Sequence, residues 1–518
     1  MANAVQINKY LYRIINNLQK NQSVKLKGQK VYSSQVLISA YEHSGYDLLW
    51  QNEQNRHDLL SIIEEAYLDG LNPYDYHVEY IRNNITKHRS KPSRSFNKAV
   101  ADIIMTEAIL TYRMHLAKGK VNQNSLKPNW QDCITTEADT LIQSLRTHLS
   151  NNTLKKWIDA SRPKLKIYNE FKNLFAKYYS IYHRGGHLVK LKYPGFSLKL
   201  GDTIPEVELL KQHLVANAYS SLSVDNVFDQ QLEEVVKDFQ ILNGIDSDGI
   251  VGEKTYEALN ISIPERLDIL RVNMDRIRWL NHKLPDDYIL INIASFYLHV
   301  VKSNKMTYYC RVVVGKDHKQ TPTFSSQISY LVFNPSWRIP FSIVSEEILP
   351  QLKSDKKFLQ DRNMVLWKGN KQINPETTDF SQYSIDYFPF SITQQPGPSN
   401  ALGKVKFIFS NPYAVYLHDT PSKSLFNRSE RAFSHGCIRV ENPLQLAHLL
   451  LNDQKYSLEQ INEIVATKET TTVFLNKQMP VVIIYMTCDD NKHDGRISFY
   501  KDIYGLDQQV LDALSKSR

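Results

Sequence analysis

The feature that most limits what this chain can fold into is a change of hydrophobic period at Pro285. Upstream, apolar residues recur at helical spacing. Downstream, Tyr288-Ile289-Leu290-Ile291-Asn292-Ile293, Tyr297-Leu298-His299-Val300-Val301, Thr307 to Val314 and Tyr330-Leu331-Val332-Phe333 read as strands. Helical and pleated faces present their apolar side chains with different periods, so the two parts call for separate cores. A length of 518 residues predicts roughly three or four domains. The expected fold class is multidomain α+β, with the boundary near residue 285.

Residues 1–200 read as a mainly helical domain. Ile7, Leu11, Ile14, Ile15 and Leu18 form one apolar stripe, and Val36-Leu37-Ile38 with Tyr41, then Leu59-Leu60, Ile62-Ile63, Ala66 and Tyr67 repeat the pattern. Gly70-Leu71-Asn72-Pro73-Tyr74 marks a break, and a second helical group runs from Ala99 to Tyr112. Residues 201–263 form a compact unit of three short helices. Val207, Leu210 and Leu214 give one stripe, and Leu232, Val235, Val236, Phe239 and Leu242 another, closed by Gly244. Asp246-Ser247-Asp248-Gly249 resembles the start of a calcium loop, but the remaining ligand positions are missing, so a turn is the better reading. Residues 264–284, carrying Leu267, Leu270, Val272, Met274 and Ile277, read as a linking helix that completes the first domain.

The strand-rich domain is expected over 285–486, with Gly315 to Pro322 as a surface connection. An insertion at 340–391 interrupts it, with a helical run from Ser345 to Leu352 and the aromatics Phe380, Tyr383, Tyr387, Phe388 and Phe390. This insertion is either a lid over a site or a decorated surface loop. Thr472 to Leu475 and Val481 to Met486 read as closing strands, and 487–518 as a C-terminal tail.

Charge and cysteine content narrow the function. The net charge of +9 is spread along the chain, and its densest cluster, Lys87-His88-Arg89-Ser90-Lys91-Pro92-Ser93-Arg94, reads as a solvated basic loop. No nucleic-acid partner is expected. Cys133, Cys310, Cys437 and Cys488 are too widely spaced for a disulfide framework or a C-x-x-C metal motif. Three of them read as structural, although one pair would be able to bridge in an oxidising compartment. No segment reaches the ~20 apolar residues of a membrane span. The 30 Tyr and 20 Phe suit packing and also carbohydrate or peptide surfaces.

The chemistry concentrates in Ser434-His435-Gly436-Cys437-Ile438-Arg439-Val440 and, upstream, Tyr416-Leu417-His418-Asp419-Thr420. A thiolate is the reactive form of cysteine, and a nearby imidazole can take the thiol proton. Gly436 lets backbone approach closely, so amides around Cys437 can face a developing oxyanion. Val405 to Phe409 and Ala414-Val415-Tyr416-Leu417 read as strands, which sets His418 at a strand end. Leu444 to Leu451 reads as a helix begun at Asn442-Pro443. Two other readings stay open on residue types alone: Cys437 as a buried small hydrophobe, or His418, His435 and Cys437 as zinc ligands.

The run Asn400-Ala401-Leu402-Gly403-Lys404-Val405-Lys406-Phe407, with Tyr416-Leu417-His418-Asp419-Thr420-Pro421 and Ser434-His435-Gly436-Cys437-Ile438-Arg439-Val440, resembles the YkuD-like catalytic domain of L,D-transpeptidases. The likeness is to the large multidomain kind of Gram-negative envelopes, whose signature is a His followed downstream by S/T-H-G-C. Val236-Lys237-Asp238-Phe239-Gln240 with Asp248-Gly249-Ile250-Val251-Gly252 and Thr255-Tyr256-Glu257-Ala258-Leu259 resembles a three-helix peptidoglycan-binding domain. Asp69 to His77 and Leu116-Ala117-Lys118-Gly119-Lys120-Val121 resemble the scaffold domain of the same large enzymes.

The resemblance implies a mostly-β catalytic domain in which Cys437 attacks a tetrapeptide stem, releases D-alanine and forms a thioester. A neighbouring stem then resolves the thioester into a 3→3 crosslink. It implies His418 as base, the main-chain carbonyl of Asp419 as orienter, and the amides of Gly436 and Cys437 as oxyanion donors, with His435 nearby or as an alternative base. Arg439, Tyr416, Trp337 and Ser434 are expected at the substrate. Arg439 would equally bridge loops, and Tyr416 and Trp337 would equally pack the core. No cofactor or metal is implied. Donor and acceptor stems are the expected partners, with other cell-wall enzymes as candidates, and the insertion would cap the site. Export is also implied, to the periplasm or cell envelope, and with it a signal or anchor ahead of Met1. An amidase that only trims stems shares the same thioester chemistry. A non-catalytic peptidoglycan-binding scaffold is the other alternative, opposed by the intact Cys437 and His418.

Overall fold

The computed structural model describes residues 2–87, 95–122, 138–184, 190–216, 222–280, 284–355, 357–384, 386–454, 456–490 and 496–516. The chain is multidomain and mixes helix with sheet. It divides into two compact units: residues 1–243, 247–283 and 487–518 form the first, and 244–246 with 284–486 the second. Most of the basic cluster at 87–94, and Cys133, lie outside the described residues.

The first unit opens with helix α1 (Ala2–Lys20) and a hairpin of β1 (Ser23–Leu26) and β2 (Gln29–Tyr32). Helices α2 (Gln35–His43), α3 (Glu53–Glu64), α4 (Val78–Lys87), α5 (Ser95–Lys118), α6 (Ala138–Ser150), α7 (Leu154–Asp159) and α8 (Lys166–His183) follow. The stripe Ile7, Leu11, Ile14, Ile15 and Leu18 of α1 is buried, and α1 packs on α5. Each such side chain removed from water contributes about 1.5–3 kcal/mol. Helix α5 is apolar round most of its circumference and buries nearly all of it, as the centre of a bundle must.

Helices α9 (Pro205–Ala216), α10 (Gln230–Leu242) and α11 (Glu253–Leu259) make the three-helix element. Its Asp248 is a turn residue, as expected. The Asp248 carboxylate accepts from Ile250 N and from Gln240 Nε2, both at 2.9 Å, and Gln240 Oε1 accepts from Gly249 N. Helix α12 (Ile263–Leu280) then packs against α5 and α8. Residues 487–516 are no pendant tail. The helix Asp507–Ser515 packs Val510 and Leu514 on Val272 and Trp279 of α12, and Arg276 pairs with Asp507 at 2.5 Å.

In the second unit the strands are β3 (Tyr288–Asn292), β4 (Tyr297–Lys302), β5 (Lys305–Gly315), β6 (Phe324–Phe333), β7 (Trp337–Arg338), β8 (Met364–Lys368), β9 (Lys371–Ile373), β10 (Ser391–Gln394), β11 (Val405–Phe409), β12 (Leu417–His418), β13 (Ala432–Ser434), β14 (Ile438–Val440) and β15 (Thr471–Ile484). Nine of them run in the order β13-β5-β14-β12-β11-β6-β15-β3-β4. Because the long β5 also pairs with β4, the sheet closes on itself and leaves few open edges. The insertion and the strands that flank it, β7 and β10, build a separate four-stranded sheet, β7-β10-β8-β9, with a core of Ile348, Leu352, Leu359, Leu366, Phe380, Phe388 and Ile392.

Two local expectations change. Residues 414–416 are not a strand: Ala414 takes φ +55°, so pairing begins only at Leu417. Gly315 to Pro322 is not wholly a surface connection either, since Gly315 and Thr321 are buried.

Candidate active site

The site is built where a short parallel ladder meets a tight turn. Strands β12 and β14 pair with Leu417 opposite Ile438 and His418 opposite Arg439, and β14 also pairs with β5. Cys437 immediately precedes β14, so the register brings the thiol, the imidazole and the guanidinium into one neighbourhood. Tyr416 lies beside them: its ring is 5.7 Å from that of His418, and the Cys437 sulfur lies 3.8 Å from the carbonyl oxygen of Ala414. Cys437 and Trp337, from β7, are both close enough to shift the Tyr416 hydroxyl.

His418 is 5% exposed. Its Nδ1 lies 2.5 Å from the carbonyl oxygen of Asp419. A carbonyl only accepts, so Nδ1 carries the proton and Nε2 presents its lone pair. Burial first, then the charge of Arg439, pushes the imidazole pKa down to about 3, against the upward pull of the Asp419 carbonyl. Burial pushes the Cys437 thiol up, while hydrogen bonds from Tyr416 and the charge of Arg439 pull it back. At rest the pair is thus a neutral thiol beside a neutral imidazole.

The Asp419 carboxylate has a different task. Oδ2 accepts from Lys404 N at 2.8 Å, and Oδ1 pairs with Lys423 Nζ at 2.6 Å. Gly403, at φ +61°, lies against it, and a Cβ there would come within 2.3 Å of Oδ2. The carboxylate therefore fixes the loop whose main chain, through Asp419, orients His418.

The turn at Ser434 to Cys437 is stapled from both sides. Gly436 needs its φ of +109°, a region that favours glycine. Its amide donates to Ser434 Oγ at 3.1 Å, and Ser434 Oγ donates to Cys437 O at 2.5 Å. Two expectations need correcting here. The Gly436 amide is committed to a hydroxyl rather than held open for an oxyanion. Ser434, expected at the substrate, is buried and its hydroxyl is engaged within the turn. From the other side, Thr321 Oγ1 donates to Gly436 O at 2.8 Å and accepts from Gly315 N at 2.9 Å.

His435 points elsewhere. Its Nε2 lies 2.7 Å from Glu347 Oε1, on the π-helical segment Val344–Ile348 of the insertion, and the neighbouring Glu346 pairs with Lys319 at 3.1 Å. The insertion therefore meets both the turn that carries Cys437 and the loop that carries Thr321. No group of three or more His, Cys, Asp or Glu side chains poised for a metal occurs among the described residues.

Comparison with known proteins matches this unit to a family. Residues 286–483 match the family described as "L,D-transpeptidase catalytic domain". The second unit is an L,D-transpeptidase catalytic domain.

Residues 35–174 match the family described as "Scaffold domain", and 203–259 that described as "Putative peptidoglycan binding domain". A "Putative L,D-transpeptidase" of Haemophilus influenzae is 33% identical over 306 residues, which cover 56% of this chain and 60% of that protein. Among solved structures, an L,D-transpeptidase of Xylanimonas cellulosilytica is 15% identical, covers 57% of this chain and 98% of its own, and has a TM-score of 0.19. One from Stackebrandtia nassauensis is 12% identical, covers 55% and 94%, and has a TM-score of 0.21.

In this L,D-transpeptidase domain, Thr321 and Glu347 were not singled out from sequence, because each acts on residues distant in the chain. The only local signal was the Gln320-Thr321-Pro322 run. Among the described residues Cys310 and Cys488 are free, like Cys437, but buried, and burial pushes the Cys310 thiol up to about 12. They are structural rather than reactive.

Proposed function

We propose that the chain is an envelope enzyme that forms 3→3 crosslinks in peptidoglycan from tetrapeptide stems, releasing D-alanine. The observation that carries this reading is the Nδ1–Asp419 carbonyl bond, which leaves His418 Nε2 as base on the strand beside Cys437. Cys437 Sγ attacks the carbonyl of the third stem residue as Nε2 takes its proton. The imidazolium then gives that proton to the departing D-alanine nitrogen, and a thioester remains. The amine of a second stem attacks the thioester, Nε2 takes its proton, and the thiol is restored.

Because the resting pair is neutral, attack and proton transfer are coupled. The Cys437 amide is the oxyanion donor in this scheme, and Arg439, next to the thiol, offers its guanidinium to the charge that develops or to a stem carboxylate. His435 is a latch partner of Glu347 rather than the base. Tyr416 and Trp337 line the donor side. The boundaries at residues 200, 263, 285 and 486 are proposed as domain limits, with 487–518 reassigned to the helical unit. An exported, periplasmic location follows from the substrate. No described helix is long and apolar enough to cross a membrane.

The test is intact-protein mass spectrometry after mixing with a tetrapeptide donor. The reading predicts a transient adduct of the tripeptide acyl group on Cys437, absent from Cys437→Ala. Turnover with no adduct on Cys437 would reject it. The scheme routes no step through a metal, so turnover is expected to persist in a strong chelator.

A further inference from the structure

The stretch from Asp69 to Tyr76 carried no chemistry in the sequence, yet it forms one wall of a cavity of about 630 Å³ in the helical unit. The other walls come from α3, α4, α8 and α12. Its lining is rich in aromatic rings. The rings of Tyr67 and Tyr179 stack at 4.4 Å and 30°, and Phe175 extends the stack at 6.1 Å and 20°. At the rim, Tyr74 is 68% exposed and Tyr182 38%.

Tyr74 is held out on a turn that is pinned from below. Asn72 Oδ1 accepts from Tyr74 N at 3.1 Å, with Pro73 at the first helical position. Gly70, at φ +67°, sits so close to α12 that a Cβ would lie 3.2 Å from both Cα and Cγ of Arg271. Beneath it the buried Asp69 carboxylate accepts from Tyr112 at 2.8 Å, Tyr168 at 2.9 Å and Arg162 at 2.7 Å. The turn thus holds the Tyr74 ring in water at the mouth of the cavity.

The polar groups narrow the ligand. Arg82 pairs with Glu64 at 2.9 Å and Arg271 with Asp268 at 3.0 Å, so the cavity's guanidinium groups are matched by carboxylates. That arrangement selects no net anion. It does offer planar donor and acceptor edges near the exposed rings of Tyr74 and Tyr182. Sugar rings fit both features, with C–H faces on the tyrosines and equatorial hydroxyl groups on the paired edges.

We propose that this cavity is a glycan-binding subsite that holds β-1,4-linked N-acetylated amino-sugar rings. The sugar chemistry comes from the cavity, and the identity of the polymer rests on the function proposed above.

The experiment titrates the full chain with the β-1,4-linked tetramer of N-acetylglucosamine by calorimetry, alongside Tyr74→Ala and Tyr74→Phe. Saturable binding is expected, weakened about tenfold or more in Tyr74→Ala and retained in Tyr74→Phe. Because Tyr74 is exposed, the thermal midpoint of Tyr74→Ala should match the parent, so lost binding is not lost folding. Absence of saturable binding would overturn the proposal. Equal binding by Tyr74→Ala would also overturn it, by moving the sugar to residues 203–259 or elsewhere. Turnover of a sugar-free tetrapeptide is measured on the same preparations. Sugar binding without turnover would sink the transpeptidase reading and keep the subsite, and turnover without sugar binding would do the reverse.

Discussion

His418 and Arg439 stand in register on neighbouring parallel strands, a buried imidazole beside a guanidinium whose Nε is buried without a hydrogen-bond partner. The cation disfavours a second charge on His418, and the same cation favours a thiolate on Cys437. In the proposed mechanism one residue thus keeps the His418 base uncharged and eases ionisation of Cys437.

The imidazole should titrate far below its ordinary value. The acid limb of kcat/KM is expected well below about pH 5, not near 6.5. Stability should follow the same group. The unfolded imidazole binds a proton near pH 6.5 and the folded one only at about 3, so between these values the unfolded chain holds more protons. Stability therefore falls as pH drops through that window, and His418→Gln should flatten the fall. Denaturation midpoints of both proteins between about pH 7 and 4 check this.

Removing Arg439 should raise the Cys437 thiol further. Arg439→Ala is expected to slow iodoacetamide alkylation of Cys437 at neutral pH, because less of the thiol is then ionised. An unchanged rate would remove Arg439 from the account of the thiol.

The Asp419 carboxylate holds a loop, and its carbonyl holds the His418 ring. Asp419→Asn keeps the carbonyl and loses the charge opposite Lys423. It should cost about 1–3 kcal/mol of stability, with turnover within about tenfold of the parent. A loss of about 10⁴-fold with an intact fold would instead give the carboxylate a catalytic role.

Thr321→Val should damage the site without touching substrate. It removes the bonds that Thr321 Oγ1 makes to Gly315 N–H and Gly436 C=O in a buried setting, at about 1–3 kcal/mol for a buried group left unsatisfied. A lower thermal midpoint together with lower kcat is expected, and Thr321→Ser should restore both.

Glu347 ties the insertion to His435, two residues before the nucleophile. A lid that keeps water from the thioester should then leak when the tie is cut. Glu347→Ala is expected to raise the ratio of tripeptide to crosslinked dimer several-fold. Deleting residues 345–387 should raise it further, and an unchanged ratio in both would make the insertion a surface decoration.

Much of this was legible from local pattern. The stripe of α1 and the helices at 203–259 follow from period alone, because each buries one face regardless of distant partners. His418 at a strand end and the α-helix beginning at Pro443 were legible for the same reason. What was hidden depends on contacts far apart in the chain. Ala414 looks like a strand residue until its φ of +55° turns the backbone beside the thiol. Gly436 looks like an oxyanion donor until Ser434 Oγ takes its amide. The segment at 487–516 shows its place through residues distant in the chain, among them Lys120 and, on α12, Asn273, Arg276 and Trp279.

The most direct test of the central claim is mass spectrometry of products formed from a disaccharide-tetrapeptide by purified protein and by Cys437→Ala. The account predicts a crosslinked dimer lacking one D-alanine from the parent protein, and none from the variant. The same dimer from Cys437→Ala, or tripeptide alone from the parent with acceptor in excess, would contradict it.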